Sequence, residues 1–262
     1  SKEEKKLDFF NKGKAFYEKG DHVKARLEFK NALQIDPKFA EGYYMLGMNE
    51  LKQNNWNGGR QALSKAVELD PELLGAQVAL GNILLAAQNV PPAMEIAEKV
   101  LAKHPEHREA LLLKASCLVA SQQERDAEPI LHKLIQKEPK KPEPYLILAR
   151  LYYRIENMAG AAQAIRDLLD QNPKNRTARL LLAEILEKTN DFSGAEKAYR
   201  TLIDQNPERN ELKLLLAGFY SRSGSPRAAE KILVALVAGA PETESYRMAL
   251  AQHYAANMQE VE

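Results

Sequence analysis

The stretch NALQIDPKFAEGYYMLG, residues 31–47, contains the break between two apolar segments from which the organisation of the chain can be derived. Its apolar residues follow helical spacing, stop at Asp36 and Pro37, and resume at once. Proline has no backbone N–H to donate inside a helix, and it disfavours helical geometry in the residue before it. One helix is therefore predicted to end at this point, and another to begin just after Pro37.

Pro37 belongs to a series of prolines that recur every 34 residues, namely Pro37, Pro71, Pro105, Pro139, Pro173, Pro207 and Pro241. A fixed interval held along a chain marks an internal repeat. The register defines seven units, residues 6–39, 40–73, 74–107, 108–141, 142–175, 176–209 and 210–243, after a polar leader at residues 1–5. Residues 244–262 supply the first helix of a partial eighth unit, and all units are predicted to form a single solenoid domain.

Two positions of the unit accept only glycine or alanine. Position 8 holds Gly13, Gly47, Gly81, Ala115, Ala149, Ala183, Ala217 and Ala251. Position 20 holds Ala25, Gly59, Ala93, Ala127, Ala161, Ala195 and Ala229. These columns predict that the two helices of each unit cross here, too closely for a larger side chain.

A turn is predicted between the two helices of each unit, at positions 15 to 17. It is clearest at Gly20-Asp21, Asn54-Asn55 and Asn190-Asp191. Gly and Asn tolerate the left-handed conformation that ends a helix, and Asp or Asn can cap the helix that follows.

The pattern resembles the tetratricopeptide repeat family, whose unit of 34 residues carries an aromatic residue, Leu-Gly, two alanines and a proline at these offsets. Unit one shows the motif best, with Phe9, Gly13, Phe16, Ala25, Phe29, Ala32 and Pro37. The resemblance covers nearly the whole chain. It implies an all-α fold, a right-handed superhelical α-solenoid of stacked antiparallel helix pairs.

Four residues depart from the family pattern. Lys12 and Lys114 replace the usual leucine at position 7, and Glu50 stands at position 11. Pro129 falls at position 22, about a turn inside a helix, so a late start or a local kink is expected there.

The leader SKEEKK, directly before the first repeat, also resembles bacterial outer-membrane lipoproteins of exopolysaccharide and exosortase systems. The cysteine that carries the lipid in such proteins is absent from this sequence. This resemblance favours the periplasm or an outer-membrane anchor over the cytoplasm, and leaves an upstream lipid anchor open. Because the final residues stop just before the expected position 20, we expect the chain to be a piece of a longer array.

The charge and the hydrophobicity of the chain limit the classes of partner that it can bind. The chain has 37 basic and 36 acidic side chains, a formal charge of +1, which argues against nucleic acid or an anionic membrane as the main partner. No apolar run has the length of a membrane helix, so direct membrane insertion by this segment is not expected. Cys117 is the one cysteine and cannot form an internal disulfide.

The resemblance implies that first helices line a concave groove, with positions 2, 5, 9 and 12 pointing into it. Position 5 is apolar in every unit, whereas position 9 repeats no residue type. The candidate groove residues are Phe10, Lys14, Tyr17, Tyr44, Met48, Leu51, Asn82, Ser116, Arg150, Tyr153 and Glu184. The alternative is that the aromatic residues among them pack against neighbouring helices as core.

The sequence gives little support for catalysis, for a metal site or for binding of a peptide carboxylate. His104 and His107 flank Pro105, where a solvated connection is the simpler interpretation, because a metal site needs three or four ligands. Cys117 is predicted to be a small buried hydrophobe. The clamp by which some family members grip a peptide carboxylate needs Lys and Asn at positions 5 and 9 of the first unit, where this chain has Phe10 and Lys14.

The sequence therefore predicts a non-catalytic scaffold with no cofactor and no metal, which binds a protein or peptide segment in its groove. A repeat array offers a long surface rather than a closed pocket, which suits recognition better than catalysis. Two alternatives stay open: an RNA-binding helical repeat, and the adaptor region of a larger enzyme.

Overall fold

The structure, a computed structural model, describes residues 1–258, and these residues form α-helices joined by short connections, with no strand among them. Contacts divide the chain into two compact parts, Ser1–His132 and Lys133–Glu262, which we call unit 1 and unit 2. Each of them contains several of the 34-residue repeats. The predicted all-α fold of antiparallel helix pairs is confirmed in each unit, because six first helices pack against the second helix that follows them: α1 on α2, α3 on α4, α5 on α6, α9 on α10, α11 on α12 and α13 on α14.

Unit 1 holds three complete hairpins and the first helix of a fourth. Its helices are α1 (Lys2–Glu18), α2 (His22–Ile35), α3 (Ala40–Lys52), α4 (Trp56–Leu69), α5 (Leu74–Ala86), α6 (Val90–Lys103) and α7 (Arg108–Ala120). Residues 2–5, predicted as a polar leader, form the first turn of α1, which is capped by Ser1. Helix α8 (Glu124–Lys137) contains the boundary between the two units.

Unit 2 holds three complete hairpins and one further helix. Its helices are α9 (Pro142–Arg154), α10 (Met158–Gln171), α11 (Arg176–Lys188), α12 (Phe192–Gln205), α13 (Asn210–Arg222), α14 (Pro226–Gly239) and α15 (Glu244–Met258). Helix α15 is the predicted first helix of the partial eighth unit, while residues 259–262, assigned to the same unit, lie outside the described residues. No described helix combines the length and the hydrophobicity that a membrane span requires.

The turn inside each hairpin is a left-handed one, as predicted. The residue at position 15 has positive φ in seven hairpins: Gly20, Asn54, Gln88, Gln122, Glu156, Asn190 and Gly224. At Glu156 the amide of the next residue, Asn157, donates to the carbonyl of Tyr152 at 2.8 Å, and Glu156 donates to Tyr153 at 3.2 Å. This pair of bonds is the Schellman motif, which satisfies carbonyls at the end of the first helix.

Residues at position 16 then start the second helix. The side-chain oxygens of Asn157 and Asp191 accept hydrogen bonds from the amides of Gly160 and Gly194, both at 2.9 Å. Each bond satisfies one of the free amides at a helix N-terminus. The predicted capping role of Asn and Asp is therefore confirmed at these two turns.

Close helix crossings at positions 8 and 20 are also confirmed. A Cβ placed on Gly47 would lie 2.7 Å from Leu63 Cγ and 3.2 Å from the carbonyl oxygen of Gly59. A Cβ placed on Gly59 would lie 2.6 Å from Leu51 Cδ2. Helices α3 and α4 thus touch almost backbone to backbone, and the core of the hairpin forms around that contact.

Glu50, one of the departures from the family pattern, takes part in a buried ion pair. Its carboxylate accepts hydrogen bonds from Arg26 Nε at 2.5 Å and Nη2 at 2.6 Å, and from Asn55 Nδ2 at 2.5 Å. Beside it, the fully buried Asn49 donates to the backbone oxygen of His22 at 3.0 Å. Because Arg26 and His22 belong to α2 and Glu50 to α3, these bonds join the first hairpin to the second.

Pro129 does not delay the start of its helix. Helix α8 begins at Glu124, which is position 17 of its 34-residue repeat, and the other second helices begin at the same position of theirs. The expectation of a late start was wrong because the turn ahead of Pro129 still forms, with the amide of Ala127 donating to the carbonyl of Gln123 at 3.2 Å. Pro129 is the sixth residue of α8, so the hydrogen bond that it cannot donate lies beyond the start of the helix.

Candidate protein-binding surface

First helices lie side by side in unit 1. Helix α1 packs near α3, α3 near α5, and α5 near α7. Each of these helices belongs to a different hairpin, so their contacts form a layer of first helices along one side of the unit. This layer holds the predicted groove positions of unit 1.

Tyr44 is at the centre of this layer. Its hydroxyl oxygen would lie 3.0 Å from a Cβ placed on Gly75, so the glycine of α5 makes room for the ring of α3. Burial raises the pKa of the Tyr44 hydroxyl, and the negative charge of Glu109 on α7 raises it further. Tyr44 therefore reaches from its own helix across α5 and toward α7.

Tyr17 on α1 lies on the same side of the unit. Its ring packs edge-on against the imidazole of His22, with centroids 5.6 Å apart. Burial raises the pKa of the Tyr17 hydroxyl, with a smaller contribution from Tyr44. The two tyrosines are thus close enough to influence each other, and each keeps part of its ring exposed.

Met48 extends the surface by one turn of α3, because residues four apart share a helix face. It is half-buried, as are both tyrosines. We refer to this surface as the tyrosine face and define it by five residues: Tyr17, Tyr44, Met48, Gly75 and Glu109.

Other candidates of unit 1 differ in how much of them a partner could reach. Phe10 is 7% exposed and packs edge-on against Phe39 at 4.9 Å, so its ring belongs to the core. The exposed Lys14 places its ammonium 5.6 Å from the Phe10 ring centroid. Leu51 packs against Gly59 of its own hairpin, which is also a structural contact.

Two further candidates, Asn82 and Ser116, lie at position 9 of α5 and α7. Asn82 is exposed and Ser116 is half-buried. Both can offer hydrogen bonds beside the tyrosine face without forming part of the core.

Unit 2 presents a charged layer at the corresponding positions. The Lys188 ammonium lies 4.3 Å above the Tyr153 ring, and Arg222 donates to the carboxylate of Glu187 at 2.6 and 3.1 Å. In both pairs, position 12 of one first helix meets position 13 of the next. The remaining candidates, Arg150 and Glu184, are exposed one turn earlier on α9 and α11.

Sequence reasoning missed four residues of these surfaces: Gly75, Glu109, Lys188 and Arg222. Gly75 and Glu109 occupy position 2, which the family pattern places in the groove, so a listing of position 2 would have found them. Position 13 carries no such expectation. Lys188 and Arg222 become visible only when neighbouring hairpins are stacked.

The cysteine and one of the candidate histidines have structural roles. Cys117 is fully buried, and burial raises the pKa of its thiol to about 11, so the predicted buried cysteine is confirmed. His107 caps α7, with its Nδ1 accepting from the amide of Ala110 at 3.3 Å. Within residues 1–258, no three His, Cys, Asp or Glu side chains converge in a way that could hold a metal ion.

Comparison with protein families agrees with this architecture. Tetratricopeptide repeat models match residues 50–117, 84–151 and 189–252, and another matches residues 146–210. A further TPR repeat model matches residues 13–48. The matches cover most of the chain, so it belongs to the tetratricopeptide repeat family.

Solved structures show the same fold at low sequence identity. A tetratricopeptide repeat protein from Parabacteroides merdae is 16% identical, with a TM-score of 0.66 over 96% of this chain and 99% of that chain. PilW, a widely conserved type IV pilus biogenesis factor, is 19% identical, with a TM-score of 0.69 over 80% of this chain and 98% of PilW. Yeast Tom70 is 18% identical, with a TM-score of 0.68 over 99% of this chain and 55% of Tom70. No curated protein sequence matches the chain.

Proposed function

We propose that this chain is a non-catalytic scaffold that binds a segment of another protein on the layer of first helices, with the tyrosine face as the main anchor. The observation that carries the proposal is the set of half-buried aromatic and thioether side chains, Tyr17, Tyr44 and Met48, held on neighbouring helices. Tyrosine and methionine are enriched at protein interfaces, and hot spots form where such side chains are already partly ordered.

The tyrosine face suits an extended segment or an amphipathic helix with apolar side chains. Its rings are fixed by packing before a partner arrives, so little side-chain entropy is lost on binding. Asn82, Ser116 and Lys14 supply polar groups beside it, which set the register of the bound segment. Unit 2 by itself offers a partner a charged surface with its Tyr153–Lys188 and Glu187–Arg222 pairs, which would contribute orientation more than affinity.

The setting that we propose is a bacterial envelope assembly, of the exopolysaccharide or secretion type. It rests on the resemblance of the leader to lipoproteins of such systems. PilW, a pilus biogenesis factor, has the same fold, but at 19% identity this likeness concerns the fold alone.

The test is affinity capture from extracts of the native organism at about 0.15 M salt, where contacts to a phosphate backbone are much weakened. The immobilised chain is compared with the double variant Tyr44→Glu/Met48→Glu, and captured proteins are identified by mass spectrometry. We expect the variant to lose the specific partner by about tenfold or more, because two charges would be buried against apolar side chains.

A matched control is Val23→Glu/Leu27→Glu. Val23 and Leu27 are 74% and 58% exposed, lie on α2 and have the same spacing as the test pair. This variant should capture the partner normally. Equal capture by all three proteins, with unchanged helical circular dichroism, would refute the tyrosine face as the site; retention of RNA instead of protein would refute the scaffold.

A further inference from the structure

A second concave surface lies in unit 2, between the second helices α12 and α14, with α13 as its floor. The groove encloses about 580 Å³. Apolar side chains line it along its length, among them Ile203, Leu216, Ile232 and Leu236. We call it the α12–α14 groove. Its walls are second helices, and the α13 residues of its floor occupy positions 1, 4, 7 and 11, which differ from the positions 2, 5, 9 and 12 that the family pattern assigns to the first-helix groove.

Helix α14 faces this groove along nearly its whole length. The residues that it contributes are Ala228, Lys231, Ile232, Ala235, Leu236 and Gly239. Their spacing of i, i+3, i+4, i+7, i+8 and i+11 is that of a stripe that a helix presents to another helix. At 1.5 Å per residue the stripe is about 16 Å long, which is the length of three helical turns.

Comparison with the chain's other hairpins shows why the groove is open here. Position 26 of the repeat is Ala235 in the α13–α14 hairpin, whereas the other hairpins have Asn31, Lys65, Lys99, Lys133, Asp167 and Thr201. Position 30 holds Ile35, Leu69, Lys103, Lys137, Gln171 and Gln205, but Gly239 here. A Cβ placed on Gly239 would meet nothing within 4 Å. The two shortened side chains therefore replace polar or bulky residues with free apolar space.

Positive charge at the groove exceeds the negative charge beside it. None of its lining residues is acidic, whereas Arg200, Lys213 and Lys231 are basic. Arg200 is paired with Glu196 at 2.8 Å. Among residues 1–258, Lys213 donates only to the neutral amide oxygen of Asn210, at 3.0 Å, and Lys231 forms no ion pair. Two cations are thus available to a ligand.

We infer that the α12–α14 groove binds an acidic amphipathic helix of about three turns from a partner protein. The apolar face of that helix would cover Ile203, Ile232 and Ala235, and carboxylates at its edges would reach Lys213 and Lys231. Burial of the apolar stripe supplies affinity, while the two lysines select acidic over basic helices and fix orientation.

The test uses two fluorescein-labelled peptides about 20 residues long, because shorter helices are marginal in water. Both carry leucine on one face; one is flanked by glutamates and the other by lysines. Fluorescence anisotropy with the full chain should show the glutamate peptide binding about tenfold tighter or more. Equal binding of both peptides would overturn the inference. The fatty acid laurate, an apolar chain with one carboxylate, is tested as a second ligand, and its binding without binding of the glutamate peptide would also overturn the inference.

Three variants identify the site. Lys213→Glu/Lys231→Glu should weaken the glutamate peptide about tenfold or more by charge repulsion. Ala235→Thr/Gly239→Gln should do the same by filling the groove without adding charge, with the residues that α12 carries at these positions, Thr201 and Gln205. The control Lys197→Glu changes a lysine at the position in α12 that Lys231 occupies in α14, outside the groove, and should bind normally.

The variant Tyr44→Glu/Met48→Glu should also bind the glutamate peptide normally, so failure of this inference and failure of the proposed function can be told apart. Because the filling variant uses residues tolerated in another hairpin, it is expected to fold, which circular dichroism checks. Unchanged binding by both groove variants would overturn the inference.

Discussion

Single residues determine where each helix ends. The left-handed position 15 is occupied by glycine in two hairpins, asparagine in two, glutamine in two and glutamate in one. Glycine and asparagine signal this conformation in the sequence, since both tolerate it. Glutamine and glutamate carry no such signal, so Gln88, Gln122 and Glu156 adopt it only because the two helices around them are fixed by packing.

Replacement of Glu156 by glycine should stabilise the protein. Glu156 has φ of 61°, a conformation that costs a residue with a Cβ more than it costs glycine. After allowance for the greater freedom of glycine in the unfolded chain, we expect a gain of about 0.5 to 1 kcal/mol in the free energy of unfolding. Urea denaturation followed by circular dichroism measures the change.

The matched control is Gly20→Ala, at the same position of the first hairpin, where φ is 78° and a Cβ would meet no neighbour within 4 Å. It should destabilise the protein by a similar amount, since only the backbone conformation is affected. A stabilising effect of both substitutions, or of neither, would show that position 15 is not strained.

At the scale of the element, the hairpin is set by how closely its two helices cross. A Cβ placed on Gly13 would lie 2.6 Å from two ring carbons of Phe29, which is fully buried. Position 8 is alanine in some other hairpins, where it stands with residues of different size at position 24, as in Ala115 with Leu131 and Ala183 with Tyr199. In the first hairpin, the ring of Phe29 occupies the space that a side chain on Gly13 would need.

Gly13→Ala should destabilise the protein by about 1 to 2 kcal/mol, although alanine favours helix more than glycine does. Phe29→Leu alone should also destabilise it, because a cavity remains beside Gly13. The double variant should recover part of the combined loss, because it restores the pairing of Ala115 with Leu131. The measurement is a double-mutant cycle from urea denaturation, and strict additivity would contradict the contact.

Considered as a whole molecule, each unit depends on contacts between neighbouring helices. Such arrays gain their stability from each hairpin and from the interface with the next one, so regions with fewer interfaces open more readily. Helix α15 packs against α14, and it leaves Met248 and Tyr254 53% and 42% exposed. Helix α11, by contrast, packs between α10 and α12 and buries Leu182, Ile185 and Leu186.

We therefore expect amides of α15 to exchange with solvent faster than amides of α11 by about tenfold or more, since fewer buried contacts must open. Hydrogen–deuterium exchange read by mass spectrometry on peptides from the two helices tests this. Equal protection of the two helices would mean that unit 2 opens as one cooperative body.

Much of the architecture was predictable from the sequence because a repeat shows the same signal many times. Proline at position 32 and the small residues at positions 8 and 20 predicted hairpins that the structure contains, with the predicted crossings confirmed at Gly47 and Gly59. The candidate surface was less predictable. Family spacing proposed Phe10 and Leu51 for the groove, yet the structure packs Phe10 into the core and Leu51 against Gly59.

The residues alone predicted the local features: the period of 34 residues, the capping residues, the places where helices touch, and the helix ends that Pro, Gly or Asn marks. These depend on residues close along the chain, and each has a chemical signature. Helix stacking, which no local pattern encodes, places Tyr44 over Gly75 and Lys188 over Tyr153, and it leaves a groove between α14 and α12 at Ala235 and Gly239. Each of these features involves different helices, most of them in different hairpins, so the distances depend on how helices stack rather than on any local preference of the chain.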